Sequence, residues 1–392
     1  MKKPFRIGLL IERNREYGRA LAEGVAAYAR ERQDWSLSFL NGRTLSRRTN
    51  LTAFDGFIAR VIDDRTAEIL SAAKRPVVDV FYERRHSGFA VVESNHHAVG
   101  ARAAEHFLKR RFTSFAFCGD ASGYAKALAN GFARRLARDG FVCRRYSPVE
   151  SLRYAFNAKS VIDDEVGPPP DAIRLRSWLV KLPKPIAVFC AQDLRAMHVL
   201  RICQDVGIDV PRNIAILGVD DDRLICEFST PMLSSIDPNA RKIGRTAAQT
   251  LAGMIERPHA WRTHPPVAIV EPNDVVLRAS TEVYPVEPDW LSDALVYIHA
   301  HATEGITAAD VFTALNRSHT LVNRAFKNQL GTHVQREIAR ARLEAARSLL
   351  KKTTLPIKEI AARSGFQSDV YFNRAFTAAH GGTPPGAWRR LQ

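Results

Sequence analysis

From residue 5 to about residue 285, short and nearly unbroken apolar runs alternate with stretches whose apolar residues recur every three or four positions. After residue 290 the runs stop. The runs at 5–11, 37–40, 57–61, 77–80, 115–118, 186–191 and 214–219 read as strands. Between them lie helix patterns: 20–29 places Leu21, Val25 and Tyr28 on one face, and 194–206 does the same with Leu200, Cys203 and Val206. Strands alternating with helices build βαβ units and parallel sheets. Runs as continuous as IAVFCA (186–191) fit sheets covered on both faces. Two sets of such strands separate near residue 112. The segment 150–170, closed by three prolines, reads as an exposed insertion.

The rest of the chain is predicted to be all helical. VYPVEPDW (283–290) reads as a linker, with residues 284–289 between a 1–283 domain and a 290–392 domain. The whole chain carries 57 Lys/Arg against 41 Asp/Glu, and residues 290–392 carry 14 against 7. Such a surplus favours a polyanionic partner. Near the end, Ile357, Ile360 and Ala361 form one apolar face behind a first-turn Pro356. Gly365 supplies a turn, Ser368 an N-cap, and Phe372 and Phe376 a buried i, i+4 pair. This is a helix-turn-helix pattern. It recurs earlier: Thr307–Asp310 resembles a capping box, Val311 and Leu315 pair, Asn316 stands at the turn, and Ser318 caps a helix burying Val322 and Phe326. Between the two patterns, 333–350 reads as a helix with Val334, Ile338, Ala341, Ala345 and Leu349 in one stripe.

GFQSDVYFNRAFTAAHGGTPPGAWRR (365–390) resembles the signature of the AraC family of transcription factors, through Gly365, Phe366, Tyr371, Phe372, Thr383, Pro384 and Trp388 among others. The resemblance covers 290–391. It implies seven helices, two helix-turn-helix units and a rigid connecting helix. It also implies recognition helices in successive major-groove segments about 34 Å apart. Double-stranded DNA is then the partner. The DNA-facing residues are His319, Thr320, Asn323 and Arg324 on one helix, and Asp369, Val370, Asn373 and Arg374 on the other. Asn and Arg can pair bidentately with adenine and guanine edges. A homodimer and contact with RNA polymerase complete the expectation.

In the first domain, AVFCAQDLRAMHVLRICQDVGIDVPRNIAILGVDDD (187–222) resembles the sugar-binding domain of the lactose-repressor type, which shares the fold of periplasmic sugar-binding proteins. PMLSSIDPNARKIGRTAAQTL (231–251) and IGLLIERNREYGRALAEGVAAYA near the start match it as well. The implied fold is two Rossmann-like lobes, three crossovers and a ligand cleft. Open parallel sheets bind ligands beyond the carboxyl ends of their strands. The expected ligand residues are Asn14, Tyr17, Arg19, Asn95, Gln192, Asp193 and Asp220, holding a small sugar-like effector. Related sensors place an Asp where Asn95 stands and a sugar-clamping Arg where Leu128 stands. That departure predicts weak binding of an unmodified pentose, and a ligand with a less hydroxylated edge facing Leu128, unless Lys126 or Arg19 supplies the donor.

Other classes fit poorly. No run of 18 apolar residues exists to span a bilayer, and the N-terminal apolar run, 7–11, is too short for a signal peptide, so a cytoplasmic protein is expected. Five cysteines without metal-ligand spacing read as reduced core thiols. No G-x-G-x-x-G follows the first strand, and no P-loop is present. Neither Asn95-His96-His97 nor His299-x-His301 has further metal ligands at convincing spacing. No cofactor, metal or catalytic residue is expected. The enzymatic rival is a nucleotide-sugar transferase with Asp220 and Asp222 as a metal-binding pair.

Overall fold

The computed structural model describes residues 4–40, 45, 49–81, 86, 88–146, 169–258 and 264–391. The expected insertion at 150–170 lies almost wholly outside them. The chain forms two compact units, Met1–Glu282 and Val283–Gln392.

The first unit contains two six-stranded sheets. In chain order the strands are β1 (Phe5–Leu10), β2 (Trp35–Phe39), β3 (Gly56–Ala59), β4 (Val77–Asp79), β5 (Ala90–Ser94), β6 (Phe115–Cys118), β7 (Cys143–Arg145), β8 (Ile186–Cys190), β9 (Ile214–Val219), β10 (Ser234–Ile236), β11 (Val267–Val270) and β12 (Val275–Val276). The sheets run β11-β5-β4-β3-β1-β2 and β12-β10-β9-β8-β6-β7. Without β11 and β12, each repeats the doubly wound order 2-1-3-4-5, whose switch points lie between β1 and β3 and between β6 and β8. All pairings are parallel except β10 with β12. β5, β7, β10, β11 and β12 were not expected from the sequence. They are short, and several carry Ser, Glu or Arg that break the apolar run.

The chain crosses between lobes three times: at Asn95 after β5, at 237–239 after β10, and at 271–274 between β11 and β12. The first crossing precedes the helix His96–Lys109, which packs in the second lobe, so the lobes part earlier than residue 112. Both lobes pack helices through paired glycines. A Cβ on Gly24 would lie 2.0 Å from Arg241 O, and one on Gly244 2.0 Å from Leu21 O. In the second lobe, Gly100 faces Leu128 O and Gly131 faces His97 O, each at 2.1 Å. Any side chain there would force the helices apart.

In the second unit, seven α-helices span the described residues: Asp289–His301, Ala308–Ala314, His319–Leu330, Val334–Lys352, Ile357–Arg363, Asp369–Ala379 and Pro385–Arg390. The segment expected as a linker is packed instead. Tyr284 is buried in the first helical core and stacks on His299, and its N–H donates to Ser292 Oγ (2.9 Å). Thr307 and Asp310 close a reciprocal capping box, Ser318 and Ser368 cap their helices, and Asn316 (φ 49) and Gly365 (φ 79) make the left-handed turns. Pro356 is the N-cap residue rather than a first-turn residue.

The Val334–Lys352 helix departs from its expected stripe: Ala346 and Leu350 are buried, not Ala345 and Leu349. The reason is that the helix serves two cores. Val334, Ile338 and Ala341 join Val322 and Phe326, whereas Ala346 and Leu350 join Phe372 and Phe376. A single periodic stripe cannot face both.

Candidate functional site

Loops from the carboxyl ends of strands in both sheets meet in one cleft of about 570 Å³, counting its open mouth. The β1 loop supplies Glu12, Arg15 and Tyr17. Arg60 follows β3, Val80 and Phe81 follow β4, and Glu93 lies on β5. The second lobe adds His96, Tyr124, Gln192 and Asp220. Arg60, Tyr17, Tyr124 and Gln192 all stand beside the switch points of the two sheets, where strand order reverses and leaves a crevice.

Electrostatics set the character of the cleft. Arg60 is 8% exposed, ion-paired with Glu12, and lies over Phe81 (4.6 Å) and Tyr17 (5.5 Å). Burial lowers its pKa to about 10, against the pull of Asp220. Asp220 is pushed up to about 7 by burial, opposed by Arg60 and Arg15. Behind the wall, burial raises Asp79 to about 8 although Val61 and Phe81 N–H groups donate to it (3.2 and 3.0 Å). Burial also raises Tyr17 and Tyr124, and lowers His96 to about 4, so His96 is neutral near pH 7.

Of the seven residues expected to hold a ligand, the cleft brings together Tyr17, Gln192 and Asp220. The other four lie elsewhere. Asn14 is exposed, and its carbonyl accepts from Arg19 (3.0 Å). Arg19 pairs with Glu16 (2.9 Å). Asn95 caps the His96–Lys109 helix, accepting from Ala98 N (3.1 Å), and donates to Glu271 (2.7 Å), which ties the first crossover to the third. Asp193 is a buried strut: Ser235 Oγ donates to one oxygen (2.6 Å) and Asp222 N to the other (2.8 Å). Leu128 is 1% exposed inside the helix crossing, and Lys126 is exposed outside the cleft. The premise for weak pentose binding therefore falls: the cleft's guanidiniums are those of Arg60 and Arg15. An arginine directly after the apolar strand FIA was the available signal for Arg60; Glu93, His96 and Tyr124 gave none.

In the second unit, the helices His319–Leu330 and Asp369–Ala379 are near-copies offset by fifty residues: Ser318, Val322, Asn323, Arg324 and Phe326 correspond to Ser368, Phe372, Asn373, Arg374 and Phe376. His319, Thr320, Arg324, Asp369, Val370 and Arg374 are exposed. Asn323 and Asn373 are half-buried and donate to their own first-turn carbonyls, His319 O (3.2 Å) and Asp369 O (2.9 Å). Leu321 (43% exposed) and Tyr371 (56%) complete the outer faces and were not expected there.

Residues 312–391 match the model of a helix-turn-helix domain, and residues 104–281 that of a periplasmic binding protein-like domain. The chain is a transcription regulator that joins a periplasmic binding protein-like sensor domain to an AraC-type helix-turn-helix domain. The regulator is 29% identical to the xylose operon regulatory protein of Escherichia coli K12, over 97% of this chain and 96% of that one. It is 25% identical to the protein of the same name from Haemophilus influenzae, over 97% of each. A solved structure of the xylose-binding transcription activator XylR matches with a TM-score of 0.61 and 27% identity, covering 100% of this chain and 99% of that one. A ribose-bound LacI-family regulator from Enterococcus faecium matches 70% of this chain and 98% of its own (TM-score 0.54, 18% identity), a likeness of fold alone.

These relatives are transcription regulators, not enzymes. The transferase reading is not supported: the similar proteins are regulators, Asp222 accepts from Glu16 N (3.0 Å), and Asp220 lines the cleft. Among the described residues no helix is long and apolar enough to cross a membrane.

Proposed function

We propose that the sensor cleft binds a small neutral sugar, with a pentose such as D-xylose the first candidate, and that occupancy alters DNA binding by the helical unit. The carrying observation is the cleft itself: three carboxylates, two guanidiniums and the rings of Tyr17, Phe81 and Tyr124 in one enclosure. Carboxylates accept from hydroxyls and guanidiniums donate to them. The rings pack on C–H faces. With carboxylates outnumbering guanidiniums, a sugar acid or sugar phosphate is disfavoured. Tyr17, Gln192, Asp220, Arg60 and Arg15 are the proposed ligand contacts.

Arg324 and Arg374 are the proposed base readers. Val370 and Tyr371 supply apolar contact suited to thymine methyl groups. A homodimer is supported by Leu224 (61% exposed) and Phe228 (84%), which present apolar surface on one short helix of the sensor. Contact with RNA polymerase completes the reading for an activator. Calorimetry with pentoses, hexoses and sugar acids tests the effector. Heat from a neutral pentose with none from its acid supports the reading, and binding of acids alone rejects it.

A further inference from the structure

Three consecutive aspartates leave β9, and each is tied to a different part of the sensor. Asp220 lines the cleft. Asp221 pairs with Arg278 (2.8 Å). Asp222 reaches the first lobe: Glu16 N–H donates to its Oδ2 (3.0 Å), and Arg19 lies 3.8 Å from its Oδ1. The loop holds Asp220 at φ 107 and Asp221 at φ 49, which L-residues rarely adopt. All three N–H groups hold it there, donating to Ile236 O (3.0 Å), Ser235 Oγ (3.0 Å) and Asp193 Oδ2 (2.8 Å).

Arg278 opens the last segment of the sensor unit. Its N–H donates to Ser234 Oγ and its Nη1 to Leu233 O (2.9 and 3.0 Å). Beyond it, Ser280 Oγ donates to Ile216 O on β9 (2.6 Å), the Thr281 hydroxyl meets His106 Nε2 (3.0 Å), and Arg110 Nε donates to Thr281 O (2.9 Å). Glu282 ends the unit and Val283 begins the DNA-binding unit.

We propose that Asp221 and Arg278 are positioning residues that pass the state of the cleft to the DNA-binding unit; this rests on the reading that the cleft binds a sugar. Ligand contact at Asp220, or lobe movement through Asp222, turns the peptide units on either side of Asp221. The Arg278 guanidinium is held by Asp221 through Nη2 and by the Leu233 carbonyl through Nη1, and its backbone N–H by Ser234 Oγ, so the residue turns with Asp221. Residues 278–282 are hydrogen-bonded along the segment, which carries the displacement on to Val283. The pair is partly shielded from water, the Arg278 side chain being 11% and Asp221 23% exposed.

The test uses the full chain as wild type, Asp221→Asn, Arg278→Met and Arg278→Lys, each checked for native circular dichroism. D-xylose is the sugar probe, and the DNA probe is a duplex selected by the wild type from a random pool. In the wild type, sugar changes DNA affinity by about tenfold, within the usual span of coupled sites. In Arg278→Met and Asp221→Asn the change falls below about twofold, while sugar affinity stays within about threefold of wild type. Arg278→Lys restores part of the response. An Arg278→Met chain that responds like wild type, or a wild type that binds sugar without altering DNA affinity, overturns the proposal. A wild type that binds no xylose rejects xylose as the effector instead, and hydrogen exchange without sugar then decides the coupling. Amides of 278–282 losing protection in Asp221→Asn, together with amides of 220–222 in Arg278→Met, support the coupling. Unchanged protection in both overturns it.

Discussion

Arg60 and Arg374 carry the same charge in opposite settings. Arg60 is almost wholly removed from water, paired with Glu12 and covered by Phe81 and Tyr17. Arg374 stands exposed on a helix whose other face is Phe372 and Phe376. The sensor unit builds its site from buried charge held by residues far apart in the chain. The DNA-binding unit carries its proposed site on the outside of a small apolar core. A buried charge is bound up with the stability of its unit; an exposed one is nearly free of it.

The largest expected break of this contrast is Arg60→Met. Glu12 would lose its buried partner, so the sensor unit should lose about 3–5 kcal/mol of stability. Sugar binding should disappear in calorimetry, while the melting of the helical unit stays where it was. Arg374→Ala and Arg324→Ala should do the reverse. DNA affinity should fall by about 1–3 kcal/mol with relaxed preference at particular base pairs, and thermal stability should barely move. Retardation against single-base operator variants checks this; a uniform loss would indicate phosphate contact.

The fragment 283–392 sharpens the contrast from the other side. It keeps Tyr284 and its packing on His299, which a fragment starting at 287 lacks. The longer fragment should be more stable in urea by about 1.5–3 kcal/mol, from burial of the aromatic ring.

A smaller effect follows from acidity. Asp220 titrates at about 7 in the folded sensor, and a sugar hydroxyl donating to it favours the carboxylate. A proton must therefore leave on binding below that pH. Affinity should be flat above pH 8 and about tenfold weaker at pH 6. His96, at about 4, does not titrate in this window. Calorimetry across pH 6–8 should show the slope in wild type and lose it in Asp220→Asn.

The smallest effect separates Asn373 from Arg374. Because its amide is engaged by Asp369 O, Asn373→Ala should cost about 0.5–1.5 kcal/mol of stability. Its effect on DNA affinity should be the same for every operator variant. A base-specific loss would show that the amide leaves the backbone on DNA.

Most of the DNA-binding unit was legible in its sequence. Caps, turns and buried Phe pairs act within one or two helical turns, so their spacing survives in the linear text. Ser318, Asn316, Gly365 and Phe376 all stand where local chemistry requires. The main exceptions were Tyr284, packed where a linker was expected, and the Val334–Lys352 helix, whose burial depends on two cores that its own periodicity does not announce. In the sensor, the alternation of strands and helices was legible for the same reason, as was the position of Gln192 and Asp220 at strand ends.

What only the tertiary structure decided is which strand ends meet. Glu12, Arg60, Glu93 and Asp220 are separated by up to 208 residues and converge because both sheets share one winding. Asn95 and Asp193 sit beside cleft residues in sequence yet are taken by a helix cap and by a buried strut. Sequence periodicity records which face of its own element a residue occupies. It holds nothing about what another element, folded from elsewhere in the chain, brings opposite that face, and in this sensor that opposing partner determines whether a polar side chain supports the fold or meets a ligand.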